Sequence, residues 1–282
     1  MKLIMKHISK KIFQLNTDDL KNEFNSNEKI KFIIFENFLN LQTAEKILDN
    51  YDLNINWTNY SFVNNFKKYG LTNINKMNIE CRELFQEMNS RKFIDILKKI
   101  TDLDDLFLDL SLDGGGLHQI FNNGYLNIHT DFYSHSKNNW VRKLNILIYL
   151  NKDWKKEHRG ELEFWNENVD EKIVSIEPRF NRCVVFLTNQ SSFHGHPSKY
   201  YHPENKSRKS IAAYYYQNSG NIKTKYKPTK YKPLPTNNFK DSFMIQIDNK
   251  LNYIYSFMKR KGIVNDKMIS KILTSFNFFN KK

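Results

Sequence analysis

Apolar residues recur at helical spacing toward both ends of the chain and at strand spacing in between. In "NLQTAEKILDNY" (40–51), Ala44, Ile47, Leu48 and Tyr51 fall on one helical face, with Thr43 as the expected cap. "KMNIECRELFQEMNSRKFIDILKKIT" (76–101) carries an apolar stripe of Ile79, Leu84, Phe85, Met88, Phe93, Ile94 and Leu97, broken near Asn89 and Ser90. "EKIKFIIFENFL" (28–39) reads as a strand leading into a helix. The texture changes near residue 105. "LHQIF" and "YLNIHTDF" flank Asn-Asn-Gly, a hairpin signal. "KLNILIYLN" (143–151) alternates its apolar residues, and "GELEFW" (160–165), "KIVSIEP" (172–178), "RCVVFLT" (182–188) and "KSIAAYYYQ" (209–217) follow. About eight short strands within about 110 residues predict an antiparallel sandwich or barrel.

Beyond it, 221–240 holds six lysines, three prolines and no acidic residue, which predicts a basic linker or arm. Helical spacing returns over 241–279, with Asp241 and Asn265 as caps and Gly262 as a stop. The expected organisation is a helical N-terminal support (1–104), a β core (105–220), the basic arm (221–240) and C-terminal helices (241–282).

Composition narrows this only a little. The chain has 282 residues, 40% hydrophobic and 15% aromatic, enough for one large decorated domain. Cys81 and Cys183 stand far apart with no zinc-type spacing, so they read as reduced thiols of a cytoplasmic protein. The N-terminus lacks a secretory pattern, and no apolar run is long enough to span a membrane. The net charge of +14 comes from lysine spread along the whole length, in a chain rich in Asn and Ile as well. It bears on solubility and association more than on chemistry, although it keeps a nucleic-acid-associated protein as an alternative.

The chemistry sits in "LNIHTDF". Residues i and i+2 of a strand share a face, so His129 and Asp131 project together, and a third ligand must come from another strand. His194 in "FHGHP" is the best candidate. It is preferred to His196 because Gly195 and Pro197 argue against strand continuation. Two histidines and one carboxylate, with other positions open, form the facial ligand set of non-haem Fe(II) oxygenases. Arg208 and Ser210 share a strand face, and a guanidinium with a neighbouring hydroxyl suits the far carboxylate of a dicarboxylate. Arg142 and Asn145 read as pocket-facing or as sheet-edge residues. His118 and His135 read as rim or core residues, and Trp165 and Tyr214–Tyr216 as core aromatics. Gly114, Gly115 and Gly116 read as a bend rather than a phosphate loop, because no GK[ST] follows.

The order H-x-D, then H, then R-x-S, with "NNGYLNIHTD", "RKLNILIYLN", "RGELEFW" and "FHGHP…RKSIAAYYY", resembles the Fe(II)/2-oxoglutarate-dependent dioxygenases, in particular the prolyl 4-hydroxylase-like branch, over roughly 105–217. The resemblance implies a double-stranded β-helix, a jelly-roll barrel, with terminal helices around it. It implies iron held by His129, Asp131 and His194, and 2-oxoglutarate held by Arg208 and Ser210, with Asn145 and Tyr149 as further contacts. The implied reaction uses O2, and ascorbate as an optional reductant, to hydroxylate an unactivated C–H of a peptide residue or a small metabolite, releasing succinate and CO2. Prolyl hydroxylases often place a Tyr three residues before the first metal histidine; here that position is Leu126, with Tyr125 facing the other way. A cupin-like metal-binding module without catalysis is the alternative from another class.

Overall fold

The computed structural model describes residues 5–51, 56–135, 137–220, 227–265 and 268. Five α-helices lie among the described residues: α1 (Thr17–Asn25), α2 (Leu41–Leu48), α3 (Ile79–Met88), α4 (Arg91–Thr101) and α5 (Phe239–Arg260). The break expected near Asn89 and Ser90 is the α3–α4 junction, where Ser90 Oγ accepts from the Phe93 amide. Asn40 rather than Thr43 caps α2, and Asn238 rather than Asp241 caps α5. In both cases an Asn side chain is in reach of the first free amides. Gly262, at φ 73°, follows the end of α5 as expected. The helix expected around Asn265 and beyond lies largely outside the described residues.

The strands are β1 (Phe32–Phe35), β2 (Thr58–Asn59), β3 (Asn65–Leu71), β4 (Phe107–Leu108), β5 (Gly116–Thr130), β6 (Trp140–Tyr149), β7 (Leu162–Trp165), β8 (Lys172–Ile176), β9 (Arg182–Leu187), β10 (Phe193–His196), β11 (Arg208–Asn218) and β12 (Lys230–Tyr231). Their order is β1-β9-β6-β11-β5-β10-β7-β8, and every pairing is antiparallel. The long β5 carries the curl. Its first half pairs with β11 and its second half with β10, while β3 and then β12 line its other edge. The result is a double-stranded β-helix.

Three readings of the sequence change here. Asn122-Asn123-Gly124 is a bulge inside β5, not a hairpin. Asn123 takes φ 66°, and Asn123 and Gly124 bond through their backbones to Tyr200. The N-terminal region is not only helical, since β1 extends the sheet beside β9 and β3 pairs with β5. The basic arm is in part an edge strand, because β12 pairs with Thr130 and His129.

Strand alternation divides the interior in two. Leu144, Ile146 and Ile148 of β6, with Ile211, Ala213 and Tyr215 of β11, pack under Leu84, Phe85, Met88, Phe93 and Leu97 of the helices. Each such fully buried side chain contributes about 1.5–3 kcal/mol. Tyr51 Oη donates to the Ser210 carbonyl and Tyr215 Oη to the Met88 carbonyl, so the helical layer is tied to the site-bearing strand. The alternate residues, Asn145, Leu147 and Tyr149 of β6 and Arg208, Ser210 and Tyr214 of β11, face the barrel interior and line its cavity. Both cysteines are free and buried in the helix-side core.

Candidate active site

His129 of β5 and His194 of β10 stand directly opposite one another in register, with ring centroids 4.6 Å apart. Asp131 follows on the same face as His129. His129 Nε2 lies 3.7 Å from Asp131 Oδ1, and His194 Nε2 lies 3.4 Å from Asp131 Oδ2. One donor atom from each of the three lies within 4.8 Å of the others. Among the described residues this is the one group of three or more metal-ligating side chains. A cation about 2.0–2.2 Å from three such donors needs separations of this size.

The tautomers suit it. Each Nδ1 sits against the carbonyl two residues earlier: His129 on Asn127 at 2.8 Å and His194 on Ser192 at 2.9 Å. Nδ1–H donation there leaves Nε2 with its lone pair toward Asp131. Burial pushes His194 down to about 4, with Asp131 opposing, so the ring is neutral at pH 7. Burial would raise Asp131, but Arg142, His194 and His129 together hold it well below the usual carboxylate range. A neutral His194 and an ionised Asp131 are the protonation states a divalent cation needs.

The carboxylate is fixed from behind. Asn145 Nδ2 donates to Asp131 Oδ2 at 2.7 Å, and Arg142 reaches the same oxygen at 3.1 Å. Arg142 Nε donates to Asn145 Oδ1 at 2.7 Å, closing a three-residue ring. The guanidinium lies 3.3 Å from the Tyr214 ring centroid and 4.7 Å from that of Phe132. Arg142 is therefore a pocket residue, 1% exposed, rather than a sheet-edge charge. Asn145 also faces the cavity, with its amide engaged by Asp131 and Arg142.

Next to the triad is a deep cavity of about 80 Å³, lined by Tyr149, His196, Arg208 and Ser210 among others. Arg208 Nε donates to the Gly160 carbonyl at 2.6 Å, and its guanidinium lies 4.9 Å from the Tyr149 ring centroid. Gly160 has φ +78°, and a Cβ there would come within 3.1 Å of Arg208 Cδ, so a side chain at 160 would displace the guanidinium. Tyr149 Oη and His196 Nδ1 are buried without a hydrogen-bond partner among the described residues. Buried polar atoms of this kind call for a ligand. A guanidinium, a phenol and a hydroxyl lining a small cavity fit a carboxylate. Contrary to the sequence expectation, β10 runs through His196, which is paired with Leu126 across a register shift; this places it in the deep cavity, away from the three clustered donors.

The cavity opens into a mouth of about 210 Å³. His118, Leu126 and Lys68 line both spaces. Burial pushes Lys68 down to about 8; Asp131 opposes this, while Arg142 and Arg208 reinforce it. Burial, with Lys68 and Arg208, holds His118 well below its ordinary value, so it is neutral. Tyr125 points outward and donates to the Val63 carbonyl. Tyr231 of β12 lies over His129 at 5.2 Å between centroids, and Asn252, Tyr255, Ser256 and Lys259 of α5 form one wall of the mouth. Lys68, Tyr231 and α5 carry no sequence motif; only strand pairing and helix docking bring them here. His135 is elsewhere, buried against Asp109 at 3.4 Å.

The model of the 2OG-Fe(II) oxygenase superfamily matches residues 115–216, the segment that contains the three clustered donors and Arg208. Two solved structures share the fold. The prolyl hydroxylase from Trichoplax adhaerens, solved with a peptide fragment of the hypoxia inducible factor oxygen degradation domain, superposes with a TM-score of 0.52 at 18% identity, covering 73% of this chain and 91% of that one. A prolyl-4-hydroxylase from Pseudomonas putida gives 0.50 at 13% identity, covering 70% and 98%. The architecture is the double-stranded β-helix of the 2-oxoglutarate oxygenases. The match to that superfamily thus covers the barrel segment that carries the clustered donors, and the solved structures share its fold. No helix among the described residues is long and apolar enough to cross a membrane.

Proposed function

We propose that the protein hydroxylates an unactivated C–H of a peptide residue or a small metabolite, with His129, Asp131 and His194 holding Fe(II) and Arg208 holding the far carboxylate of 2-oxoglutarate. The observation that carries this reading is the convergence of the three donors beside a small cavity lined by Arg208. The chemistry supplied by iron and co-substrate is oxidative decarboxylation to succinate and CO2, coupled to transfer of one oxygen atom to the substrate.

The chain's own residues do the positioning. The Asn127 and Ser192 carbonyls orient the two imidazoles, and Arg142 with Asn145 keeps Asp131 ionised and immobile. The Arg208 terminal nitrogens, Tyr149 Oη and Ser210 Oγ supply donors at the far end of the cavity. Leu126, Leu147 and Leu162 give that space apolar walls. Neutral His118 adds polarity without adding charge.

The test is anaerobic titration of apoprotein with Fe(II) and 2-oxoglutarate, following the visible absorption of the chelate. A saturable band in the parent, absent in His129→Ala with the fold intact by circular dichroism, is the expected result. Succinate formation retained in His129→Ala would overturn the ligand assignment. Asp131→Ala is the poorer variant. It leaves the buried Arg142 guanidinium unpaired, a cost of about 3–5 kcal/mol in stability alone.

A further inference from the structure

Among the charged groups around the two cavities, Lys68 has no anion of its own. It sits on β3 between the extended backbone of Tyr69 and Lys67, whose φ is 50°, at a register shift against β5. That irregularity turns the side chain toward the barrel mouth, where it lines both the deep cavity and the outer one. No hydrogen bond or ion pair holds its ammonium among the described residues. Its low pKa agrees, because a paired lysine is pushed up rather than down. The carboxylates near it are already engaged. Asp131, the one carboxylate on the deep cavity, is bound to Arg142, and Asp113 at the rim is bound to Lys259.

Loading the site leaves this imbalance in place. A divalent cation and the 2-oxoglutarate dianion cancel. Asp131 offsets only one of Arg142 and Arg208, so a guanidinium and the Lys68 ammonium remain in excess. His118 and His196 are both held neutral by burial and add nothing. A desolvated surplus of positive charge at the point where substrate meets co-substrate is costly unless the substrate brings an anion.

We propose that the primary substrate is a small molecule with an anionic oxygen group, carboxylate or phosphate, that pairs with Lys68 Nζ and thereby sets which C–H faces the metal. This deepens the hydroxylase reading above and depends on it. The size of the occupant follows from the mouth, about 210 Å³ and walled by α5 and Tyr231, which suits a molecule of amino-acid size. The competing role for Lys68 is a second contact to 2-oxoglutarate itself.

The experiment uses the full chain loaded anaerobically with Fe(II) and 2-oxoglutarate, in which the chelate band reports the mouth. Acetate, inorganic phosphate and a set of free amino acids are titrated to tens of millimolar, with acetamide and amino-acid amides as uncharged partners. The expected result is that an anion perturbs the band where its uncharged partner does not. In Lys68→Met the anion midpoint weakens about 10–100-fold, the loss of one charge-assisted hydrogen bond, while the 2-oxoglutarate midpoint moves less than about threefold. Acetate acting without phosphate assigns a carboxylate substrate, and the converse a phosphorylated one. A 2-oxoglutarate midpoint weakened tenfold or more in Lys68→Met gives the lysine to the co-substrate and overturns the proposal. So does an anion response that survives in Lys68→Met, or no response to any anion. Absence of the band in the parent protein instead sinks the underlying hydroxylase reading, and this proposal with it. Lys68→Arg, which keeps the charge, restores anion sensitivity and separates lost recognition from a disturbed fold.

Discussion

Replacing Arg208 by Met removes the guanidinium and keeps an unbranched stem against Tyr149 and Gly160. In the parent, Arg208 Nε is committed to the Gly160 carbonyl at 2.6 Å, so only the two terminal nitrogens are free for a carboxylate. Two charge-assisted hydrogen bonds in a buried site contribute about 1.5–3 kcal/mol each. Tyr149 and Ser210 remain as donors, so the loss is below the sum, about 3–4 kcal/mol. That converts to a 2-oxoglutarate midpoint weaker by about 10²–10³-fold. Fe(II) binding moves by less than about threefold, because Arg208 touches none of the three ligands. The assay is the anaerobic chelate titration at saturating Fe(II), with separate metal binding and a thermal melt. The melt matters because the Gly160 carbonyl loses its partner, at a cost of about 1–3 kcal/mol in stability. A 2-oxoglutarate midpoint unchanged in a folded variant would refute the reasoning and move the carboxylate site away from Arg208.

Asn145→Ala takes one of two donors from Asp131 Oδ2 and the acceptor from Arg142 Nε, so Fe(II) affinity falls about 10–100-fold in a metal titration while 2-oxoglutarate binding to the metal-saturated protein changes little. Asp248, on α5, is bonded to Asn64 and pushed by burial from 3.8 to about 6. Its charged form is the one the fold disfavours, so its contribution to stability falls as pH rises from about 4 to about 6. Asp248→Asn is accordingly more stable than the parent by about 1–3 kcal/mol at pH 7.5, and this advantage vanishes below pH 4. Melting curves with a pH-independent difference would contradict it.

Much of the candidate site's geometry was legible before the fold was known, because a strand's period of two is a property of the local backbone. It put His129 with Asp131 and Arg208 with Ser210, and it placed Tyr149 on the face of β6 opposite Ile146 and Ile148. The same rule misread Asn122-Asn123-Gly124, where a turn-forming tripeptide serves as a bulge. There β3 pairs with β5 on both sides of the tripeptide and the Tyr200 backbone bonds to Asn123 and Gly124, so tertiary pairing overrides local turn chemistry. It also stopped β10 too early at His196. The Pro197 ring removes a donor only from its own position, so the residue before it still pairs with Leu126.

What the sequence by itself determined is the inventory: helical ends, a run of short alternating strands, and side chains of the right chemistry on the right face of each. What only the tertiary structure decided is which faces meet. His194 lies 65 residues from His129 in the chain, and nothing in either segment specifies that they pair. Lys68 becomes a pocket residue only because β3 docks on β5 across a register shift. Tyr231 and α5 become its lid only because the basic arm adds an edge strand to the same sheet. The reason is one of range. Side-chain alternation is set by each residue's own dihedrals, whereas register and closure are set by packing among segments far apart in sequence, where a shift of one residue turns every side chain to the other face.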